Sequence, residues 1–157
     1  MFRGVEDCDL PALLALNNAH ATETGPLDRA KLADMNDIAF CARTNGARTA
    51  LLIAFDQSAE YDSANFLWFR DRYPRFVYVD RIIVAPSARR TGIARALYDE
   101  LFAAARAAGH TLTACEVNRV PPNPGSDALH VALGFAEVGR GSPFPGKQVR
   151  YLMRELW

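Results

Sequence analysis

The stretch FVYVDRIIVAPSARRTGIARALYDELFAAARAA, residues Phe76–Ala108, contains a strand, a basic turn and a helix in succession. Its first nine residues are mostly aromatic or β-branched, which is typical of a well-buried strand. Ala85-Pro86 ends that strand, and Ser87–Arg90 forms a short polar, basic turn. From Gly92 onward apolar residues recur every three or four positions as far as Gly109, which predicts an amphipathic helix with a glycine stop.

The helix that begins at Gly92 offers a site for an anion. Its first backbone N–H groups have no intrahelical partner, and the helix dipole places partial positive charge there. A phosphate at this end accepts hydrogen bonds and is attracted by the dipole. Gly92 has no Cβ, so a ligand can approach the backbone, and Arg89, Arg90 and Arg95 add positive charge. These features alone fit a tight turn with solvated arginines equally well.

The motifs around this turn resemble those of a known family. Arg89 to Ala94 fits the pattern [Q/R]-x-x-G-x-[G/A], and Val84-x-Pro86 precedes it. Further along, Leu133-Gly134-Phe135 follows a short predicted helix. In this strand–turn–helix context the chain resembles the GNAT superfamily of acetyl-CoA-dependent N-acetyltransferases. The resemblance covers most of the chain and is strongest over residues 76–138.

The predicted order of elements, βααββ(α)βαβαββ, agrees with the fold that the resemblance implies. That fold is α/β (α+β), with a mixed, mostly antiparallel twisted sheet flanked by helices and with splayed central strands that hold acyl-CoA. The 157 residues predict one domain. Asn65–Arg75 is predicted as a short helix or an ordered loop, Asn118–Gly125 as an irregular crossing, and Phe135–Val138 as a strand that ends at Gly139. Trp68, Phe69 and Tyr73 are candidates for an acceptor pocket, but core packing is favoured because large aromatic residues are usually buried.

Composition excludes several classes of protein. Lysine plus arginine equals aspartate plus glutamate, so no global charge favours a nucleic-acid partner. Charged residues interrupt every apolar run before it could cross a membrane, and the start of the chain has no signal pattern. Three cysteines without metal-ligand spacing indicate reduced thiols in the cytoplasm and no metal site.

The resemblance implies acetyl-CoA as a cosubstrate and a primary amine, on a small molecule or a protein, as the acceptor. A homodimer is compatible with it. An alternative from another class is a non-catalytic acyl-CoA-binding or sensing module, which would need no catalytic side chains. The residues expected to bind the cofactor are Ile82, Ile83, Val84, Arg89, Arg90, Thr91, Gly92, Ile93, Ala94, Arg95 and Asn123.

Two carboxylates in otherwise apolar strands are candidates for the base. Strand alternation places Asp80 on the face of Tyr78, Ile82 and Val84, with Arg81 on the opposite face, so Asp80 needs another partner or a function. Glu116 lies near the end of the next predicted strand. In the superfamily that the chain resembles, bases occupy both places, so either residue can deprotonate the acceptor. A structural ion pair is the alternative for each.

His130 is the candidate for the acid. It occupies the position where the superfamily often has a tyrosine that donates a proton to the CoA thiolate, five residues before Phe135. A protonated histidine is a stronger acid than a phenol. A lone histidine on a helix is more often an ordinary packed residue, so a structural role stays open.

Overall fold

The computed structural model describes residues 1–157. The strands are β1 (Phe2–Gly4), β2 (Cys41–Asn45), β3 (Ala50–Asp56), β4 (Val77–Val84), β5 (Leu112–Val120), β6 (Ala136–Phe144) and β7 (Lys147–Glu155). The helices are α1 (Leu10–Ala19), α2 (Ala21–Thr24), α3 (Arg29–Ile38), α4 (Ala64–Arg70), α5 (Ile93–Ala107) and α6 (Pro124–Ala132). None of these helices is both long and apolar enough to cross a membrane.

All seven strands form one sheet in the order β1-β2-β3-β4-β5-β7-β6. Every neighbouring pair is antiparallel except β4 and β5, which are parallel. These two central strands pair only at Val77 with Thr113 and at Tyr78 with Ala114. Beyond that point they separate, so backbone groups of β4 that face the gap have no partner strand. The predicted mixed, mostly antiparallel sheet with splayed central strands is therefore confirmed.

A β-bulge interrupts β4 at Asp80, where strand alternation alone gave the wrong faces. Ile53 of β3 pairs with Arg81 and Ala54 pairs with Val79, so Asp80 has no partner opposite it. The extra residue shifts the alternation of everything after it. The prediction that Arg81 faces away from Asp80 is wrong, because the bulge brings both side chains to the same side of the sheet.

Two hydrophobic clusters cover the two faces of the sheet. On the first face, which we call the α4 face, Tyr78 and Ile83 of β4 pack with residues of α1, α3 and α4. On the second face, the α5 face, Val77 and Val79 pack with the buried stripe of α5, and Ile82 and Val84 pack beside them. The predicted grouping of Ile82 and Val84 with Tyr78 is therefore also wrong, for the same reason.

Several element boundaries differ from the sequence predictions. Strand β6 continues beyond Gly139 to Phe144, because it remains paired with β7 through two register shifts. Strand β5 extends to Val120, into the segment predicted as an irregular crossing. The aromatic segment after β3 forms the short helix α4, one of the two predicted alternatives.

Candidate active site

The three candidate catalytic residues line one narrow cavity of about 60 Å³ where β4 and β5 separate. Asp80 and Glu116 reach this cavity from the α4 face, where their hydrogen-bond partners lie. His130 reaches it from the α5 face, together with Tyr98 of α5. The cavity thus joins the two faces through the gap in the sheet. The structure brings together the three residues that the sequence singled out.

Glu116 on β5 is a carboxylate held by neutral donors. Its Oε2 accepts a hydrogen bond of 2.6 Å from the Tyr78 hydroxyl, and its Oε1 accepts one of 3.1 Å from Nδ2 of Asn65. Burial raises the pKa of Glu116 to about 7, although the hydrogen bond from Tyr78 partly opposes the rise and the charge of Asp80 adds to it. A carboxylate with a pKa near neutrality can both accept and release a proton at physiological pH.

Asp80 has a different environment, although it lines the same cavity. Its Oδ2 lies 2.7 Å from Nε of Arg81, and both side chains are almost completely buried. Its Oδ1 accepts a hydrogen bond of 2.6 Å from the Tyr61 hydroxyl. Nη1 of Arg81 donates in turn to Oδ1 of Asn17 on α1, at 2.6 Å. Asp80 is therefore paired with a buried cation, whereas Glu116 has no cationic partner within hydrogen-bond reach.

His130 is buried, and both nitrogens of its ring have partners. Nδ1 lies 2.7 Å from the carbonyl oxygen of Ser126, which can only accept, so Nδ1 carries the proton. Nε2 then accepts a hydrogen bond of 2.6 Å from the Tyr98 hydroxyl. Burial lowers the pKa of His130 and raises that of Tyr98. The resting pair is thus a neutral imidazole and a neutral phenol, with the phenol as donor.

A larger cleft of about 380 Å³ adjoins the narrow cavity. The two share wall residues, among them Ile82, Asn123 and Ser126. Of the residues predicted to bind the cofactor, six line this cleft: Ile82, Ile83, Val84, Arg89, Ala94 and Asn123. The side chain of Asn123 also caps α6, since it accepts a hydrogen bond from the Ser126 N–H. An elongated ligand in the cleft would therefore reach the catalytic candidates.

The turn at the mouth of this cleft has an uncapped helix end. No side chain caps the first turn of α5, so its N–H groups remain free for a ligand. Arg90 has a φ of 62° and Gly92 a φ of 80°, both left-handed, and a Cβ built on Gly92 meets no atom within 4 Å. Arg89 is anchored, because its Nε donates to the Val84 carbonyl and its guanidinium lies 3.0 Å from Nε2 of His20. The turn can accept a phosphate group on its backbone.

Other sequence candidates lie elsewhere. Arg95 lines a separate wide cleft of about 680 Å³, together with Tyr73. Phe69 is completely buried in the core on the α4 face. The Trp68 ring lies between Tyr151, at 4.2 Å, and the Arg72 guanidinium, at 4.1 Å, so neither of its faces is free for a ligand. The packing of Phe69 and Trp68 agrees with the core role favoured from the sequence, whereas Tyr73 borders the separate cleft.

Sequence reasoning missed the partners of the candidate residues. Tyr78, Tyr98 and Asn65 contact Glu116 or His130. Tyr78 and Tyr98 lie in apolar patterns that predict ordinary core packing, and Asn65 begins the segment predicted as a short helix or an ordered loop. One signal was available: Asp80 and Arg81 are consecutive charges in a buried strand, and a bulge is a way to satisfy both. No comparable pattern marks Asn65.

Comparison with known proteins gives a consistent result. A model of the acetyltransferase (GNAT) family matches residues 14–135. A search of curated proteins finds no significant match. Similar solved structures include the ribosomal-protein-S18-alanine N-acetyltransferase from Escherichia coli, with 19% identity and a TM-score of 0.71, covering 99% of this chain and 93% of that chain.

Two further solved structures show the same similarity. The ribosomal-protein-alanine N-acetyltransferase from Brucella melitensis is 22% identical with a TM-score of 0.72, covering 99% of both chains. A phosphinothricin acetyltransferase from Sinorhizobium meliloti, in complex with acetyl-CoA, is 19% identical with a TM-score of 0.71, covering 99% of this chain and 88% of that chain. At these identities the structures establish a shared fold.

Proposed function

The chain belongs to the acetyltransferase (GNAT) family, and on that premise we propose that it transfers an acetyl group from acetyl-CoA directly to a primary amine in a ternary complex. The observation that carries the proposal is the narrow cavity in the gap between β4 and β5. A carboxylate with a pKa near 7 and a phenol–imidazole pair line that cavity from opposite faces of the sheet. A module that only bound acyl-CoA would need neither group.

The lining of the cleft beside the cavity supports acetyl-CoA as its ligand. The uncapped N-terminus of α5 and the left-handed backbone at Gly92 suit a pyrophosphate, which needs donors and close approach of the backbone. Ile82 and Val84 supply apolar wall for an extended arm that leads to the cavity. Acetyl-CoA would supply the thioester carbonyl that the amine attacks. Unpaired backbone groups of β4 face the gap, where an N–H could polarise that carbonyl.

Glu116 is the base in this proposal. An aliphatic amine with a pKa of about 9 to 10 is mostly protonated at neutral pH and must lose a proton before it can attack. The pKa of Glu116, about 7, lets its carboxylate accept that proton, directly or through a water molecule, and release it again. The two hydrogen bonds to Glu116 leave each carboxylate oxygen with further acceptor capacity.

In this proposal Asp80 is not the base but influences Glu116 through its negative charge. Its pairing with Arg81 makes proton abstraction a poorer role for it than for Glu116, because accepting a proton would break a buried ion pair. Across the gap, the negative charge of Asp80 raises the pKa of Glu116 and so makes Glu116 a stronger base. We therefore assign base catalysis to Glu116 and an electrostatic role to Asp80.

In this proposal the leaving thiolate takes the proton of the Tyr98 hydroxyl, the resulting phenolate recovers a proton from water before the next turnover, and His130 positions this donor. In the resting state the proton sits on the Tyr98 hydroxyl, which donates to Nε2 of His130. His130 lies where the superfamily often has its tyrosine donor, and here a hydroxyl is supplied beside it from α5. The Ser126 carbonyl fixes the tautomer of the imidazole and leaves Nε2 facing Tyr98.

A first experiment tests the cofactor site. We expect acetyl-CoA to raise the melting temperature of the protein, because a ligand that binds only the folded state stabilises it. Gly92→Asp should abolish that shift, since it adds negative charge and a Cβ at a left-handed position. Arg90→Ala, the matched control on the same turn, should weaken the shift less, because backbone donors carry most of the contact. If acetyl-CoA raises the melting temperature of folded Gly92→Asp as much as that of the wild type, this turn does not bind the phosphate.

A second experiment tests the reaction. The protein is incubated with acetyl-CoA and a panel of primary amines that includes small amines, amino acids and peptides with free N-termini. Release of the CoA thiol and formation of acetylated product, detected by mass spectrometry, should both depend on one or more of these amines. Acetyl-CoA binding without transfer to any amine of the panel would support a sensing module instead.

A further inference from the structure

We propose that Asn65 is a positioning residue that holds the carboxylate of Glu116 in the geometry of a base. This inference rests on the proposed function, since it assigns a role within the same reaction. Asn65 lies in the first turn of α4 and is almost completely buried. A buried amide is costly unless its hydrogen bonds are satisfied, so its partners indicate what the residue is for.

Helix α4 is inserted between two neighbouring antiparallel strands, β3 and β4. Strands β3 and β4 are antiparallel neighbours, which a short turn can connect. The chain inserts α4 between them and anchors it through Phe66 and Phe69, both completely buried. This anchoring sets α4 against the α4 face of the sheet, next to Tyr78 of β4. Asn65 is thereby held at a fixed place beside the gap.

Both ends of the Asn65 amide are engaged. Its Nδ2 donates to Oε1 of Glu116 at 3.1 Å, and its Oδ1 accepts from the Tyr151 hydroxyl at 2.9 Å. A carboxylate can only accept, so the NH₂ end of the amide must face Glu116. The Tyr151 hydroxyl, which donates to the other end, keeps the amide in that orientation.

Two glycines in β6 make room for this arrangement. A Cβ on Gly141 would lie 2.6 Å from the Tyr151 hydroxyl, and a Cβ on Gly139 would lie 2.5 Å from the Trp68 ring, which stacks on Tyr151. Contacts this short do not occur, so any side chain at Gly141 would displace the hydroxyl that orients Asn65. The path Gly141, Tyr151, Asn65, Glu116 is continuous from the edge strand to the proposed base.

The consequence for Glu116 is one neutral donor on each oxygen. Tyr78 holds Oε2 and Asn65 holds Oε1, which fixes the plane of the carboxylate and stabilises its ionised form. Other charges also act on Glu116: that of Asp80 raises its pKa, and that of Lys147 lowers it. The remaining titratable groups affected by Glu116 are Tyr61, Tyr78, Tyr98, Cys115 and Tyr151, whose pKa values burial raises.

The test is the titration of Glu116 in the intact protein. Carbon-13 NMR of the glutamate carboxyl groups, with the signal assigned by Glu116→Gln, gives the midpoint directly and without turnover. We expect a midpoint near 7 in the wild type. Asn65→Leu should raise it by about one pH unit, the equivalent of a lost hydrogen bond to a charged group. The pH below which the rate of acetyl transfer falls should rise by a similar amount.

Two further variants keep the test decisive. Leu67→Ala perturbs packing in the same helix without a hydrogen bond to Glu116, so its midpoint should match the wild type. Tyr151→Phe keeps the ring and loses only the hydroxyl, so it should raise the midpoint less than Asn65→Leu does, and it serves alone if Asn65→Leu does not fold. Midpoints in Asn65→Leu and Tyr151→Phe that coincide with the wild type would overturn the inference. Failure of the proposed function is distinct, because it would appear as absence of acetyl transfer by the wild type.

Discussion

Asp80 and Arg81, adjacent residues in β4, form a buried ion pair with 2.7 Å between Oδ2 and Nε. Adjacent residues of a regular strand point to opposite faces, so this contact exists only because β4 bulges at Asp80. The bulge lies where β4 leaves β5, and it places one carboxylate at the gap while Arg81 reaches Asn17 of α1. Pairing Asp80 in this way sets it apart from Glu116, whose hydrogen-bond donors are both neutral.

The pair predicts a stability cost for Asp80. Asp80→Asn should lower the free energy of unfolding by about 3 kcal/mol, because it leaves the buried guanidinium of Arg81 without a counter-charge. Urea denaturation measures this loss. The matched control is Glu100→Gln, which breaks the exposed pair between Glu100 and Arg43 and should cost less than about 1 kcal/mol. Equal stability of the two variants would show that the Asp80–Arg81 pair is not a structural ion pair.

The raised pKa of Glu116 predicts that the free energy of unfolding depends on pH. Between its ordinary value of 4.5 and about 7, the folded protein holds a proton on Glu116 that the unfolded chain has lost. Stability should therefore fall as pH rises through this window, by up to about 3 kcal/mol from this group. Glu116→Gln removes the contribution, so it should be more stable relative to the wild type at about pH 8 than at about pH 4. Parallel stability curves for the two proteins would contradict the raised pKa.

The Tyr98–His130 pair predicts a ranking of variants. His130→Tyr should keep much of the activity, because it places a hydroxyl donor where the superfamily often has one. His130→Phe should lower turnover by about 10- to 100-fold with little change in acetyl-CoA binding, since the interaction acts in the transition state. If His130 only packs, phenylalanine should do at least as well as tyrosine. The turnover numbers of the two variants, with folding checked by melting, decide between these outcomes. A turnover number for His130→Phe equal to or higher than that for His130→Tyr would show that His130 has no role in acid catalysis.

The sequence predicted the strand–turn–helix unit because that unit depends on local patterns, and it predicted the class of sheet through the order of elements and the family resemblance. The apolar run before Ala85-Pro86 and the spacing after Gly92 specify β4 and α5 without reference to the rest of the chain. The three catalytic candidates also stood out, since Asp80 and Glu116 are charges in apolar strands and His130 sits in a motif. Their convergence on one cavity follows from the order of the strands.

What the sequence could not predict depends on register and on distant contacts. A bulge changes side-chain faces without changing composition, so the partner of Asp80 was assigned to the wrong side. Tyr98 and His130 are thirty-two positions apart and meet only when α5 and α6 pack on the same face. The role of Asn65 depends on Tyr151, far along the chain, and on the absence of a side chain at Gly141.

The most direct test of the account is the rate of acetyl transfer to a good amine as a function of pH, for the wild type and for Glu116→Gln. The wild type should lose turnover as pH falls through about 7, where Glu116 becomes protonated. Glu116→Gln should bind acetyl-CoA normally but turn over on the order of 10²-fold more slowly at neutral pH, with the gap closing at high pH as the free amine loses its own proton. A Glu116→Gln variant that keeps the wild-type rate and the same acid limb would contradict the assignment of Glu116 as the base.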